Sequence, residues 1–241
     1  MPFTFAHPAA VLPLLRRPWA VPAALVIGAM VPDVEYFVLL RPERTISHTA
    51  LGVFAQGLPV GLVLYALWVH LWRAYAVELW PWGARVVGEA AAPTWTLRHG
   101  ARVAASIVLG AFTHLAWDAA THEHGALVER VSALSDVWLT VGDEAVSGYR
   151  VLQHGSTVFG FAALGAYGMF RARRSTLGPV GRPAFGALAA LMCIAAAATC
   201  TALAHAPPPH SRADLVHAVL AGITAFIAAF TVGALGRRRR S

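Results

Sequence analysis

Six apolar runs, each close to 20 residues long, constrain the fold of this chain more than any other feature. A helix needs about 20 apolar residues to cross the hydrocarbon core of a bilayer. Charged side chains make up only 13% of the sequence, about half of the fraction that is usual in soluble domains. The sequence therefore predicts an all-α, polytopic membrane protein with about six transmembrane helices, near residues 19–40, 50–72, 102–121, 151–170, 183–205 and 215–236.

The distribution of arginine predicts the orientation of these helices. All 19 basic residues are arginine, and fourteen of them fall on one side of the predicted helices. The positive-inside rule places that side, with both chain ends, in the cytoplasm, and we expect a multi-pass protein. Because the arginines cluster at the ends of apolar runs, topology explains the net charge of +7, and we expect no nucleic-acid partner. The five arginines on the other side are Arg41, Arg44, Arg130, Arg150 and Arg212.

A stretch at the end of the third run, from Thr113 to His124, carries several ionisable side chains. On a helix, His114, Asp118 and His122 are four residues apart and line one face. Two imidazoles and a carboxylate on one face are suitable ligands for a transition-metal ion. Ionisable residues inside membrane segments are costly and are functional by default. The alternative is that these side chains form interhelical hydrogen bonds that hold the bundle together.

Further polar residues are expected in the outward half of the bilayer, where His114, Asp118 and His122 are also expected. Asp33 follows Pro32, and the proline kink can direct this carboxylate towards the bundle interior. His48 precedes the second helix, and His154 lies at the start of the fourth. The helix placement uses only apolar length and arginine, so this convergence independently supports one site. The alternatives are an ordinary bend with Asp33 paired to Arg41, and a capping or surface role for His48.

Four charged residues are candidates for roles around the metal. Glu123 lies at the predicted end of the third helix and is a candidate proton acceptor at the rim of the site. Arg41, Arg44 and Arg150 each lie within a few residues of a candidate ligand. Guanidinium groups beside a dication suit a phosphate or carboxylate substrate. The alternative is that these arginines extend to lipid headgroups at the interface.

The opening segment, Met-Pro-Phe-Thr-Phe-Ala-His7-Pro, precedes the first predicted span. A short re-entrant or interfacial helix here could carry His7 to mid-membrane depth, provided that protein shields it. This segment, Gly28 to Asp33, Ser47-His48-Thr-Ala-Leu-Gly, Thr113 to His122 and Leu152-Gln153-His154-Gly resemble the bacterial membrane family catalogued as domain of unknown function 4184. The resemblance covers about residues 1–175, and it implies a location in the bacterial cytoplasmic (inner) membrane. We therefore expect a metal-site helical core at 1–175 and two additional transmembrane helices at 176–241.

That family is similar to inner-membrane metal-dependent hydrolases, which share a Pro-Asp after a glycine and a His-x-x-x-Asp, and more distantly to zinc-dependent phospholipases C. In those enzymes a His-x-x-x-Asp pair and further histidines bind zinc. The amino-terminal tryptophan ligand of the phospholipases is missing here, since position 1 is Met. The resemblance implies metal roles for His7, Asp33, His48, His114, Asp118 and His122.

The leading hypothesis is a membrane-embedded, metal-dependent hydrolase of a lipid-phase or interfacial phosphoester, with a membrane lipid or another lipophilic molecule as its substrate. Zn²⁺ is the expected cofactor, with Mn²⁺ and Fe²⁺ as alternatives. Two other functions remain open: a non-hydrolytic metal-dependent enzyme such as an isomerase or cyclase, and a transporter or channel for protons or metal ions. The predicted metal ligands are the six residues above and His154, and the predicted catalytic carboxylates are Asp33, Asp118 and Glu123.

Overall fold

Helices form nearly all of the regular structure in the computed structural model, which describes residues 3–40, 46–87, 94–175, 184–205 and 212–239. The chain begins with a 3₁₀ helix, Thr4–Leu14, and short 3₁₀ turns at Val31–Asp33 and Ile46–His48 precede two of the later helices. One antiparallel hairpin, β1 (Val137–Val141) and β2 (Glu144–Ser147), is the only sheet among the described residues. The longer helical elements are α1 Pro22–Gly28, α2 Val34–Leu39, α3 Ala50–Leu79, α4 Pro81–Val87, α5 Leu97–Thr121, α6 Ser132–Ser135, α7 Gly148–Arg173, α8 Phe185–His205 and α9 Arg212–Arg238. Within α3, the segments Val53–Gly57 and Trp68–Trp72 are π-helical.

Prolines set the helix boundaries near the start of the chain. Pro8 and Pro13 lie inside the 3₁₀ helix, where their missing N–H groups prevent a regular α-helical ladder. Pro22 occupies the first turn of α1, a position that needs no intrahelical donor. The interruption predicted at Pro32 is present, because the α-helix ends at Gly28 and resumes only at Val34.

Four described helices are long and apolar enough to cross a membrane, namely Ala50–Leu79, Leu97–Thr121, Gly186–His205 and Asp214–Arg238. A fifth span results if Pro22–Gly28 and Val31–Leu39 count together as one broken span. These helices indicate an all-α membrane protein, as predicted, but the predicted number of six spans is not confirmed. The difference lies in the first predicted span, which is broken, and in α7, which has 26 residues but falls short in apolar character. Polar residues near its start, Gln153, His154, Ser156 and Thr157, lower that character.

The first of two compact units comprises the described residues of Met1–Pro32, Ile46–Leu62 and Trp95–Met169. Its central feature is a close approach of α1 and α5. A Cβ on Gly28 would lie 2.8 Å from the Ile107 Cα atom, and one on Gly110 would lie 2.7 Å from the Ala29 amide nitrogen. Only glycine allows the two backbones to come this close, as at the small-residue contacts of membrane helices.

The N-terminal 3₁₀ helix is held against α7 within the same unit. The Phe3 amide donates a hydrogen bond to the Thr157 hydroxyl at 3.1 Å. The Phe3 and Phe161 rings pack with their centroids 5.9 Å apart. One turn away, a Cβ on Gly160 would lie 2.9 Å from the Ala6 Cβ atom. These contacts fix the segment that carries His7.

The second compact unit comprises the described residues of Asp33–Thr45, Val63–Thr94 and Phe170–Ser241. In this unit α9 packs along α8 and bonds to two other elements. The Thr224 hydroxyl donates to the Phe37 carbonyl at 2.8 Å, and the Trp72 indole N–H donates to the Thr231 hydroxyl at 3.1 Å. The predicted division of the chain at residue 175 stays a prediction.

Candidate metal centre

One buried face of α5 carries two of the predicted metal ligands, His114 and Asp118. They form the centre of a cluster that also includes His7, His48 and His122. Ser106, Gly110, His114 and Asp118 recur at intervals of four residues, and all four are buried. His114 is 0% exposed and Asp118 is 4% exposed. The two small residues let neighbouring segments approach, and the two ionisable ones direct polar atoms to a common place. The predicted placement of His114 and Asp118 on one helical face is therefore observed.

Four imidazole nitrogens surround the Asp118 carboxylate, and each of its oxygens faces two of them. The Oδ1 atom lies 3.7 Å from Nε2 of His7 and 3.3 Å from Nδ1 of His122. The Oδ2 atom lies 3.7 Å from Nε2 of His48 and 3.4 Å from Nε2 of His114. The structure thus brings together five of the predicted site residues, all within the first unit.

The backbone of Ala29, the C-cap residue of α1, fixes the orientation of His114. Its Nδ1 atom lies 2.9 Å from the Ala29 carbonyl oxygen. Because a carbonyl oxygen can only accept, Nδ1 carries the proton, and the lone pair of the neutral ring is on Nε2, the atom that faces Asp118. A hydrogen bond of this kind is how proteins orient metal-binding histidines. The close approach of Gly28 and Gly110 makes this bond possible.

His7 lies on the N-terminal 3₁₀ helix and is 4% exposed. Its ring stacks on that of His114, with a centroid separation of 3.8 Å and an angle of 21° between the ring planes. The sequence placed His7 on the cytoplasmic side and required a re-entrant segment to bring it to the site. The structure brings it there through a partly buried 3₁₀ helix that the α7 contacts hold in place.

His48 ends a 3₁₀ turn whose fold is fixed by local hydrogen bonds. The Ser47 hydroxyl lies 2.8 Å from Nδ1 of His48, which leaves Nε2 directed at Asp118. Thr49 caps α3, since its hydroxyl accepts from the Gly52 amide at 3.0 Å. The capping role considered for His48 therefore belongs to Thr49.

His122 does not lie on the helix, which corrects the prediction of a continuous three-residue face. The α5 helix ends at Thr121, and His122 has extended backbone angles. Its ring nevertheless turns back, so that Nδ1 lies 3.2 Å from the Asp118 carbonyl oxygen and 3.3 Å from the carboxylate. The last carbonyls of a helix have no intrahelical donor, and a histidine N–H satisfies one of them here.

The spacing and chemistry of the cluster fit metal binding. The ligand atoms of His7, His114 and Asp118 all lie within 4.8 Å of one another. Two ligands of a tetrahedral zinc ion, each about 2.0–2.1 Å from the metal, lie about 3.3–3.4 Å apart. The separations of 3.3–3.7 Å around Asp118 are close to that value. Imidazole and carboxylate groups also suit Mn²⁺ and Fe²⁺.

The remaining predicted residues are not part of this cluster within the first unit. Asp33 is 0% exposed at the start of α2, in the second unit, and its role as a ligand stays a prediction. Glu123 and His154 are exposed, unlike the residues of the cluster. The Arg150 guanidinium donates to the Glu144 carboxylate at 2.9 Å. Arg41 and Arg44 lie outside the described residues.

Sequence reasoning missed the groups that hold the ligands, namely the Ala29 carbonyl, the Ser47 hydroxyl and the glycine contact between α1 and α5. One signal was available for that contact. Gly110 lies four residues before His114, and a small residue on the same face as a candidate ligand marks a close helix approach.

Comparison with known proteins gives one family and no function. No curated protein matches the chain, and no solved structure matches it. A family model described as "Domain of unknown function (DUF4184)" matches residues 1–235, so the match extends past residue 175 and includes the last two helices. The similarity to metal-dependent hydrolases stays a prediction. With nearly the whole chain matched, the protein belongs to the DUF4184 family.

Proposed function

We propose that this protein is a membrane-embedded, metal-dependent hydrolase that acts on a lipid-phase or interfacial phosphoester. The observation that carries the proposal is the ring of four histidines around the buried Asp118 carboxylate. Ionisable residues are rare and costly inside membrane proteins. Joining two helices needs only one or two interhelical hydrogen bonds, whereas five such side chains directed at one place suit a metal ion.

The ligands are oriented by the protein itself. The Ala29 carbonyl sets the tautomer of His114, and the Ser47 hydroxyl contacts the ring nitrogen of His48 that faces away from Asp118. Such support raises metal affinity, because fewer side-chain rotations are lost on binding. A bound Zn²⁺, or alternatively Mn²⁺ or Fe²⁺, would activate water at neutral pH and polarise a phosphoryl oxygen.

Proton transfer and substrate binding are assigned to groups at the edge of the cluster. Glu123 follows His122 in the chain and is exposed, so it can exchange protons with solvent. Asp33 is the second proposed proton acceptor.

Arg150 is the proposed ligand of the substrate phosphate. It already pairs with Glu144, but both side chains are partly exposed, at 27% and 50%. An exposed pair is weak, so a substrate phosphate can replace Glu144 at small cost. Arg41 and Arg44 are also proposed to bind the substrate phosphate.

The proposed location is the bacterial cytoplasmic (inner) membrane, with both termini in the cytoplasm. The support is the excess of arginine on one side of the predicted helices. Because the cluster lies among apolar helices, a membrane lipid or another lipophilic molecule is the proposed substrate.

The test is a metal analysis of the protein purified in detergent, paired with a screen of water-soluble and lipid phosphoesters. We expect stoichiometric transition metal and hydrolysis of at least one lipid phosphoester. His114→Ala removes a buried ligand and should have a lower metal content than the wild type and no activity. His124→Ala, an exposed histidine in the adjoining segment, is the matched control and should keep both.

Other outcomes distinguish the competing functions. Wild-type protein without transition metal, or full metal content in His114→Ala, would contradict the proposed metal site. A product without oxygen from labelled water would favour a non-hydrolytic enzyme. Reconstituted vesicles that accumulate Zn²⁺ or protons, without hydrolysis, would favour a transporter.

A further inference from the structure

The two oxygens of Asp118 divide the four histidines into two pairs. His7 and His122 face Oδ1, at 3.7 and 3.3 Å, and His48 and His114 face Oδ2, at 3.7 and 3.4 Å. A carboxylate that binds a single ion through one oxygen brings the imidazoles of that ion nearest to that oxygen, whereas here the nearest oxygen differs between the two pairs. The division fits two arrangements best: one ion chelated by both oxygens, or two ions bridged by the carboxylate.

The His7 and His114 rings are too close together to bind the same ion. In imidazole, the ring centre lies about 1.1 Å behind the ligating nitrogen, so it lies about 3.2 Å from a bound zinc ion. Two such rings on one ion, at angles of about 90–109°, have centres about 4.5–5.2 Å apart. The observed separation is 3.8 Å, with the ring planes only 21° apart. Nearly parallel, stacked rings direct their lone pairs at two points rather than one.

His48 and His114 show the opposite geometry. Their ring centres are 5.4 Å apart, and the planes are inclined at 66°. This separation is close to the value of about 5.2 Å for two imidazoles on one tetrahedral ion. Both residues also face the same carboxylate oxygen, Oδ2. Ring geometry and oxygen preference, which are separate observations, therefore give the same pairing.

We propose that the cluster binds two divalent metal ions bridged by Asp118. One ion takes Oδ2 with His48 and His114, and the other takes Oδ1 with His7 and His122. This inference rests on the proposed metal dependence and adds the number of ions and the ligands of each. His122 would bind through Nδ1, with its proton on Nε2, and would give up its bond to the Asp118 carbonyl.

The arrangement suits a phosphoester substrate. Each ion would have three ligands from these residues, the number found in catalytic zinc sites that keep an open position. Pairs of ions about 3.5–4 Å apart stabilise both the attacking and the leaving oxygen in phosphoester hydrolysis.

The test counts the ions and measures whether they interact. Protein stripped with a chelator is titrated with Mn²⁺, the bound metal is measured by mass spectrometry, and electron paramagnetic resonance is recorded at saturation. We expect two ions per chain and an exchange-coupled signal. His7→Ala and His48→Ala each remove a ligand of a different ion and should each retain one ion, without coupling. Asp118→Asn should also lose the coupling, and His124→Ala should behave as wild type.

The wild-type measurement alone decides the proposal, so a variant that fails to fold does not obscure it. One ion per chain with an uncoupled signal would overturn the two-ion arrangement and leave the proposed hydrolase intact. No bound ion, with Mn²⁺ or with Zn²⁺, would overturn both. Complete loss of metal in both folded single variants would also show that His7 and His48 serve one ion.

Discussion

The contact between α1 and α5 gives the sharpest link between the fold and the cluster, and Gly110→Ala tests it. The added Cβ would lie 2.7 Å from the Ala29 amide nitrogen and 2.9 Å from the Gly28 carbonyl carbon. Both are backbone atoms, so no side-chain rotation can relieve the overlap. The two helices must therefore move apart.

The size of this movement follows from contact distances. Non-bonded carbon and nitrogen atoms need about 3.4 Å or more, which requires a shift of about 0.7 Å. A shift of this size along the bond between His114 Nδ1 and the Ala29 carbonyl would lengthen it from 2.9 Å to about 3.6 Å, where it no longer counts as a hydrogen bond. Loss of such a supporting bond lowers metal affinity by about 10–100-fold. Overpacking adds a cost of about 1–3 kcal/mol in stability.

The assay is a competition titration of Zn²⁺ against a chromophoric chelator, with thermal unfolding in the same detergent. Gly100→Ala is the matched control, because it makes the same change in the same helix and its Cβ would meet nothing within 4 Å. It should keep wild-type affinity and gain up to about 1 kcal/mol from helix propensity. Wild-type metal affinity in Gly110→Ala would refute the link between the helix contact and His114.

Two further predictions concern the edges of the cluster. His154→Ala should retain all of its metal by mass spectrometry, because the side chain is exposed; loss of metal would show that His154 is a ligand. Thr49→Ala removes the cap beside His48 and should lower both stability, by about 1 kcal/mol, and metal affinity. Its control, Thr96→Ala, removes the equivalent cap of α5, where the hydroxyl accepts from the His99 amide at 3.1 Å. That variant should lose stability only, and equal metal affinities in the two would contradict a role for Thr49 in placing His48.

Features that depend on one segment could be predicted from the sequence. The length and apolar character of α3, α5, α8 and α9 are local properties, so their helices were predictable. The same holds for His114 and Asp118, since a spacing of four residues inside a helix fixes a shared face. The end of α5 was less predictable. His122 continued the spacing, but the helix ends one residue earlier, and the ring returns to Asp118 by a hydrogen bond that spacing alone does not indicate.

Features that depend on two segments were predicted with mixed success, and the reason is geometric. The arginine distribution and the apolar lengths fix one coordinate, the depth of each residue along the membrane normal. His48 and His154 were both assigned to the same half of the bilayer on that basis, yet His48 faces Asp118 and His154 is exposed. Depth does not specify the rotation of a helix about its axis or its lateral neighbours.

His7 is the converse case. Its predicted depth placed it on the cytoplasmic side, away from the other ligands, but packing against α7 places it beside Asp118. Its position depends on Ala6 against Gly160 and on Phe3 bonded to Thr157, contacts between residues more than 150 positions apart. In the sequence, such contacts are indicated only by small residues, because two backbones that approach closely leave no room for larger side chains. Glycines on the faces of predicted spans that carry ionisable residues are therefore the best sequence guide to which distant segments complete a membrane metal site. In this chain Gly110 and Gly28 mark where α1 supplies the acceptor for His114, and Gly160 marks where α7 supports His7.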